Sequence, residues 1–348
     1  MRVTREKLRK LMATKLHRAG LSREHADMVA EVLSYSDERG LHSHGAMRVE
    51  YYAERIAKGG TNAEPAFSFT RTGPCTGVFD GDNGAGHVAA IKAMDAAIAM
   101  AKESGAAIVG IRRLGHSGDL SYYVRMAADR DLIGISLCQS DPMVVPYGGT
   151  EKYYGTNPIG FAFPGVDEPV IFDMGTTVGV WGRVLHARSK NEPIPPGWAV
   201  DGNGEETTDP FKVNALLPIA GPKGYGLGMA IDILSGILVG VPFGKHVSSM
   251  YHDLSTGRDL GQLHIVIDPA RFRPLDAFKA DIAATIRELN QSKPAPGFDQ
   301  VLVPGQSSAR RAKAYRENGI EIVDHIYDYL VSDTIHNNTY DHKDPFAK

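Results

Sequence analysis

The chain reads as a mixed α/β fold of two domains, and three observations point there. Its first sixty residues are written in helical pattern, with polar caps and glycine stops. From Phe67 onward, short apolar stretches alternate with helical ones, as strands and helices do. A length of 348 residues, with 43% hydrophobic and 23% charged side chains, is enough to bury a large core.

In chain order, Thr4 caps a first helix running to about His17, and Ser22 caps a second, with Glu24 in its first turn, that runs to Arg39 and stops at Gly40. Gly45 to Lys58 lacks proline and ends in Gly59-Gly60, so it reads as a third helix. Phe67–Phe69 and Gly77–Phe79 read as strands, and Ala85 to Glu103 as an alanine-rich helix. Ala107–Ile111 is a strand, Ser117–Arg130 a helix, and Ile133–Cys138 a strand. Ile159–Phe163 and Val170–Asp173 resume strand character. Residues 188–210 are rich in Pro, Gly, Asn and acidic groups and read as a long surface loop. Gly224–Gly240 reads as a glycine-punctuated buried helix, Leu263–Asp268 as a strand and Leu275–Leu289 as an amphipathic helix. Helices are expected at Ser307–Asn318 and Val323–Ser332, and the polar tail from His336 is expected to be an arm or disordered.

Several function classes are excluded by composition. A net charge of −3 leaves no footprint for nucleic acid or an anionic membrane. The apolar run from Gly224 to Val241 carries Asp232 and is too short and polar for a bilayer span. The charged start has no apolar signal core, and two cysteines, Cys75 and Cys138, fit a cytoplasmic setting.

The most informative stretch is Gly40-Leu41-His42-Ser43-His44-Gly45-Ala46-Met47-Arg48. If the third helix starts here, Ser43 or His44 sits at its N-terminal edge, where free N–H groups favour an anion. Arg48 and Tyr52 follow His44 at four-residue spacing and share a helical face with it. A proton-transfer group, a guanidinium and a phenol on one stripe suit a small carboxylated substrate. Gly115-His116-Ser117-Gly118-Asp119 places a second histidine at the end of a strand, between glycines that let a ligand approach. Asn157 in Gly155-Thr156-Asn157-Pro158 precedes proline, which biases it to an extended backbone with its amide outward. Ser140 and the Asp173-Met174-Gly175-Thr176 run end two other strands with groups able to hold a nucleotide. Lys223-Gly224 opens a helix, where lysine is unfavourable unless it meets an anion.

Two further motifs compete with this reading. Gly84-Ala85-Gly86-His87-Val88-Ala89 has the form of a dinucleotide fingerprint. Asp80 and Asp82 put negative charge where phosphates would approach, so tight helix–strand packing explains its glycines better. His42-x-His44 has the form of a metal pair in a zinc hydrolase, but it precedes a helix and no second histidine cluster has ligand spacing.

Taken together, HSHGxxR, GHSGD, GTNPIGF, DMGTT, KGYGLGMAIDILSG and the Pro304-Gly305-Gln306 turn resemble the type-II malate/L-lactate dehydrogenase family of NAD(P)-dependent oxidoreductases, in order and over essentially the whole chain. The resemblance implies a central, mostly antiparallel sheet wrapped by helices, with a separate nucleotide domain and no dinucleotide-fingerprint crossover. On that pattern residues 1–73 plus about 290–348 form a helical, substrate and dimerisation part, and about 74–289 the sheet-containing NAD-binding part. The resemblance also implies a homodimer or higher homo-oligomer, a small carboxylate as substrate, no metal, and NAD in preference to NADP. It places NAD around Ser140, Asp173, Met174, Gly175, Thr176, Lys223, Gly224, Pro304, Gly305 and Gln306. Substrate contacts fall to Ser43, Arg48, Tyr52 and Asn157, and proton transfer to His116 or His44. His116 is the expected base, with Asp119 a candidate to fix its tautomer. Gln306 and Gly175 depart from the family's common Glu and Ala.

Overall fold

In the computed structural model, which describes residues 1–342, a seven-stranded sheet carries the site and helices cover both of its faces. The chain enters through β1 (Arg2–Val3), α1 (Arg5–Arg18) and α2 (Arg23–Glu38). Thr4 and Ser22 cap these helices by accepting from Lys7 N and His25 N, as their sequences predict. The third helix, α3, spans only Val49–Ala57, four residues later than its pattern predicts. The reason lies in α2. The buried Asp37 carboxylate accepts from Ala46 N at 2.7 Å and pairs with His42 Nδ1 at 2.8 Å. Gly45 lies so close to that carboxylate that a side chain there would collide with it. Residues 42–44 and 46–48 are thereby pinned in two tight 3₁₀ turns, and neither Ser43 nor His44 caps a helix.

Next come β2 (Ser68–Arg71), β3 (Thr76–Asp80), α4 (Gly86–Ser104), β4 (Ala106–Leu114), α5 (Leu120–Ala128), β5 (Ile133–Cys138), β6 (Ile159–Phe163) and β7 (Val170–Met174). α6 (Trp181–Lys190), β8 (Ala199–Val200), β9 (Ala215–Leu216) and α7 (Pro222–Asp232) follow. The chain closes with β10 (Leu260–Ile267), α8 (Leu275–Gln291), α9 (Gln306–Asn318), β11 (Ile320–Glu321) and α10 (Asp324–Val331). The large sheet has the order β2-β3-β4-β10-β5-β6-β7, and only β3 and β4 pair in parallel. The mostly antiparallel sheet therefore holds.

α4 and α5 cover one face of the sheet, burying Val109, Ile111 and Val266 against Met94, Ala97 and Tyr123. α7 packs the other face, where Ile231 meets Leu137 and Leu263. A second core joins α1, α2 and α3 to β11 and α10 through Leu8, Leu16, Leu33, Tyr51, Ile320 and Leu330. β1 pairs with β11, which ties the first residues to the segment between α9 and α10.

Three further sequence readings are corrected. Residues 188–210 are not simply a surface loop: Ile194 and Ala199 are buried with α6, whose apolar Trp181, Val184 and Ala187 form a small separate core. Gly224–Gly240 is not one buried helix. α7 gives way to a π-helical turn at Ile233–Ile237, and Met229, Ile233, Leu234, Ile237 and Leu238 face outward. α5 starts at Leu120, not Ser117, because Asp119 caps it by accepting from Ser121 N at 2.9 Å. The tail to His342 is an arm across α3, and its last six residues lie outside the described ones. Cys75 and Cys138 are both free thiols.

Candidate active site

The site assembles where β4 ends. Gly86, at the start of α4, packs so closely on the Gly115 carbonyl that a Cβ there would overlap it, which is the glycine's local role. This contact fixes the turn that carries His116 and brings His87, on the first turn of α4, beside it. The His116 and His87 ring centroids are 6.5 Å apart. From α3, Tyr52 Oη lies 2.7 Å from His116 Nδ1. His44 stacks on His116, with centroids 5.9 Å apart and planes 23° apart. Its Nδ1 is 2.9 Å from Ser43 Oγ. His87 stands edge-on to the Tyr52 ring at 5.1 Å.

Arg48 completes the group. Its Nε donates to Ser43 O at 2.7 Å and its Nη1 to Tyr251 Oη at 2.8 Å. Of the five guanidinium N–H groups these use two, which leaves donors for a carboxylate. The sequence spacing therefore gathers Ser43, His44, Arg48 and Tyr52 as expected, although through 3₁₀ turns and not along one helical face.

The electrostatics keep these imidazoles neutral. Burial first, with the neighbouring His44 ring and the Arg48 guanidinium adding to it, holds His116 well below the ordinary 6.5. Burial and Arg48 push His44 down to about 4, and burial pushes His87 down to about 3. Burial also works against the Arg48 charge, but the Tyr251 and Tyr52 hydroxyls outweigh it and hold the guanidinium charged. A neutral imidazole fixed by a hydrogen bond to one nitrogen is what a general base requires. With the proton on Nδ1 donated to Tyr52, Nε2 keeps its lone pair.

His44 and His116 line a cleft of about 440 Å³ together with Ser140, Thr156, Gln139 and Gln262. The Ser140 hydroxyl accepts from Thr156 N at 2.8 Å, and Thr176 donates both N and Oγ1 to Thr156 O. These two cofactor candidates are thus tied into one ladder beside the histidines. Met174 ends β7 and leads through Gly175 into this ladder. Lys223 is exposed in the first turn of α7, whose N-terminus has no side-chain cap, and a Cβ on Gly224 would overlap Ile219 O. Asp173, Pro304 and Gly305 line a second groove, together with Tyr35, Arg39 and Ser121. Gly305 has φ +88°, and a Cβ there would sit 2.8 Å from Ile171 O. Gln306 opens α9, also without a side-chain cap, and accepts from Val303 N through Oε1. Hydroxyls, a lysine and two uncapped helix N-termini are donors that suit a dinucleotide's phosphates and ribose, but the structure divides the expected cofactor residues between two grooves, Ser140 in the first and Asp173, Pro304 and Gly305 in the second.

Two readings of the sequence do not survive this geometry. Asn157 is fully buried with φ +27°, not extended, and its amide faces inward: Oδ1 accepts from Ser140 N and Nδ2 donates to Gly228 O. It braces Ser140 against α7, with both ends of its amide engaged. Asp119 does not bond to His116. It caps α5 and accepts from Ser36 Oγ, so Tyr52 takes the tautomer-fixing place. His42 and His44 point to different partners, Asp37 and Ser43, so they do not converge as a metal pair. Sequence reasoning missed the roles of His87, Tyr251 and Arg258, which pairs with the buried Asp141, since none of the three carries a local signal of its own.

The fold and site define an oxidoreductase, and residues 3–331 match the malate/L-lactate dehydrogenase family, to which the chain belongs. Among proteins of known activity it is 59% identical, over the whole of both chains, to the ureidoglycolate dehydrogenase (NAD(+)) of Escherichia coli K12. It is 37% identical to the L-sulfolactate dehydrogenase of Methanocaldococcus jannaschii, covering 93% of this chain and 94% of that one. The solved sulfolactate dehydrogenase of M. jannaschii superposes with a TM-score of 0.89 at 36% identity, covering 95% of both chains. The malate dehydrogenase structure from Pyrococcus horikoshii gives 0.86 at 34% identity, covering 94% of this chain and 93% of that one.

Proposed function

We propose that the chain oxidises (S)-ureidoglycolate to oxalurate with NAD⁺, a step of allantoin breakdown. The observation that carries the reading is the placement of His116, anchored by Tyr52, in one cleft with His44 and Ser140, within a chain 59% identical end to end to a ureidoglycolate dehydrogenase. NAD⁺, when bound, accepts the hydride from the carbinol carbon. Ser140, Asp173 to Thr176, Lys223-Gly224 and Pro304 to Gln306 are the residues to hold it.

The protein's own contribution follows from the distances. Arg48 binds the substrate carboxylate with the donors left free by Ser43 O and Tyr251. The neutral His116 takes the hydroxyl proton, and Tyr52 keeps its ring oriented as the imidazolium forms. His44, stacked beside it and neutral, is the rival base or a relay. Net loss from the substrate is one hydride and one proton, which turns the carbinol into the ketone of oxalurate.

The working protein is a homodimer. Met229, Ile233, Leu234, Ile237 and Leu238 follow helical spacing and expose one apolar stripe, with Leu238 61% exposed, a face that a second copy would cover. Two free thiols fit a cytoplasmic enzyme.

The test is a panel of 2-hydroxy acids assayed at 340 nm with NAD⁺ and NADP⁺. Ureidoglycolate with NAD⁺ is expected to exceed malate and lactate in kcat/KM by about 10²-fold. A higher value for malate, lactate or a sugar-derived acid would reassign the substrate.

A further inference from the structure

The family match ends at residue 331, yet the chain continues as an arm that returns to the substrate end of the site. Glu54 of α3 is fully buried, and three successive backbone N–H groups of the arm converge on it. Thr339 and Tyr340 donate to Oε2 at 2.8 and 3.1 Å, and Asp341 donates to Oε1 at 3.1 Å. Lys58 bridges Glu54 and Asp341, whose other oxygen accepts from Leu254 N. A buried carboxylate held by three amides and an ammonium is a specific clamp, not a loose tail.

What the clamp positions is the Tyr340 ring. It lies edge-on to Tyr51 at 5.8 Å and stacks on Tyr251 at 5.8 Å with planes 21° apart. Tyr51 in turn stands edge-on to both Tyr52 and Tyr251. Tyr251 is the residue whose hydroxyl accepts from Arg48 Nη1. An unbroken chain of contacts thus runs from the arm, through two tyrosines, to the carboxylate clamp and to the phenol that holds His116.

We propose that Tyr340 is a positioning residue that sets the substrate clamp by wedging Tyr251 against Arg48, so that the arm beyond residue 331 determines affinity for the acid. The inference rests on the reading of Arg48 as the carboxylate ligand. Its consequence is a split between substrates: Tyr340 contacts Tyr51, Tyr251 and Glu54, none of them a residue assigned to NAD⁺, so NAD⁺ affinity does not depend on it.

Steady-state kinetics of the full-length protein, with calorimetric binding of oxamate in the presence of NADH, test this. Tyr340→Ala is expected to raise the KM for ureidoglycolate and weaken oxamate binding by about 10-fold, the effect of losing two aromatic contacts. The KM for NAD⁺ should stay within about twofold. Tyr340→Phe, which keeps the ring, should restore acid affinity. Tyr340→Leu serves the same comparison if the alanine variant does not fold. Equal losses toward acid and cofactor, or no rescue by phenylalanine, would overturn the proposal. Arg48→Ala separates the two levels. If it raises the acid's KM while Tyr340→Ala and Tyr340→Leu do not, the arm's role alone falls. If it leaves that KM unchanged, the carboxylate reading fails and the arm's role fails with it.

Discussion

Tyr52 Oη lies 2.7 Å from His116 Nδ1, linking α3 of the helical layer to the turn that ends the longest strand of the sheet. The bond assigns the two ring nitrogens different work: one is anchored, the other keeps a lone pair. Tyr52→Phe removes the anchor without opening a cavity. A net hydrogen bond is worth about 0.5–1.5 kcal/mol, so turnover should fall by about 2- to 10-fold with little change in the KM for NAD⁺. Unchanged turnover would mean that His116 is oriented by something other than Tyr52.

The imidazoles give a second prediction, for pH. A base must be neutral to accept a proton, and burial with the adjacent charges holds His116 well below 6.5. The ring therefore stays neutral as pH falls through 6.5, and kcat/KM for oxidation should lose its acid limb only below that value. Arg48→Gln removes one of the depressing charges and should move that limb upward. A wild-type limb at or above 6.5 would contradict the assigned environment.

Stability follows the same groups. His44, His87 and His264 sit near 4, 3 and 4 in the fold but near 6.5 when unfolded. Between those values the unfolded chain binds more protons, so stability is full above pH 6.5 and declines as pH falls toward 4. Urea midpoints measured across that range check the direction. Replacing the buried His264 with an uncharged residue should flatten the slope.

Gly86 supplies a structural prediction. Its resemblance to a phosphate-binding glycine is accidental, because its space is taken by the Gly115 carbonyl. Gly86→Ala should destabilise the protein by about 1–3 kcal/mol and displace the His116 turn. Thermal melting and turnover should both drop. A selective loss of NAD⁺ binding at full stability would instead revive the fingerprint reading.

How much of this was legible beforehand depends on whether a residue's signal is local. Thr4 and Ser22 announce their helices because a cap acts within three residues of itself. His116 was visible because glycines flank it at a strand end. The start of α3 was not, because Asp37, on another helix, decides it. His87 looked like one more position of an alanine-rich helix until Gly86 and Gly115 brought it to the site. Asn157 misled for the same reason: the local bias before proline was overridden by Ser140 and Gly228, which claim both ends of its amide. The stripe from Met229 to Leu238 read as buried because apolar spacing does not say whether a face turns inward or outward.

The central claim is that His116 takes the proton, in a pocket where His44 is a neighbour. Single-turnover formation of NADH tests it, with each histidine replaced in turn by alanine at saturating ureidoglycolate and NAD⁺. His116→Ala should slow the step by about 10²–10⁴-fold, and His44→Ala should slow it less. Full rate in His116→Ala with loss in His44→Ala would contradict the assignment and hand the proton to the other ring.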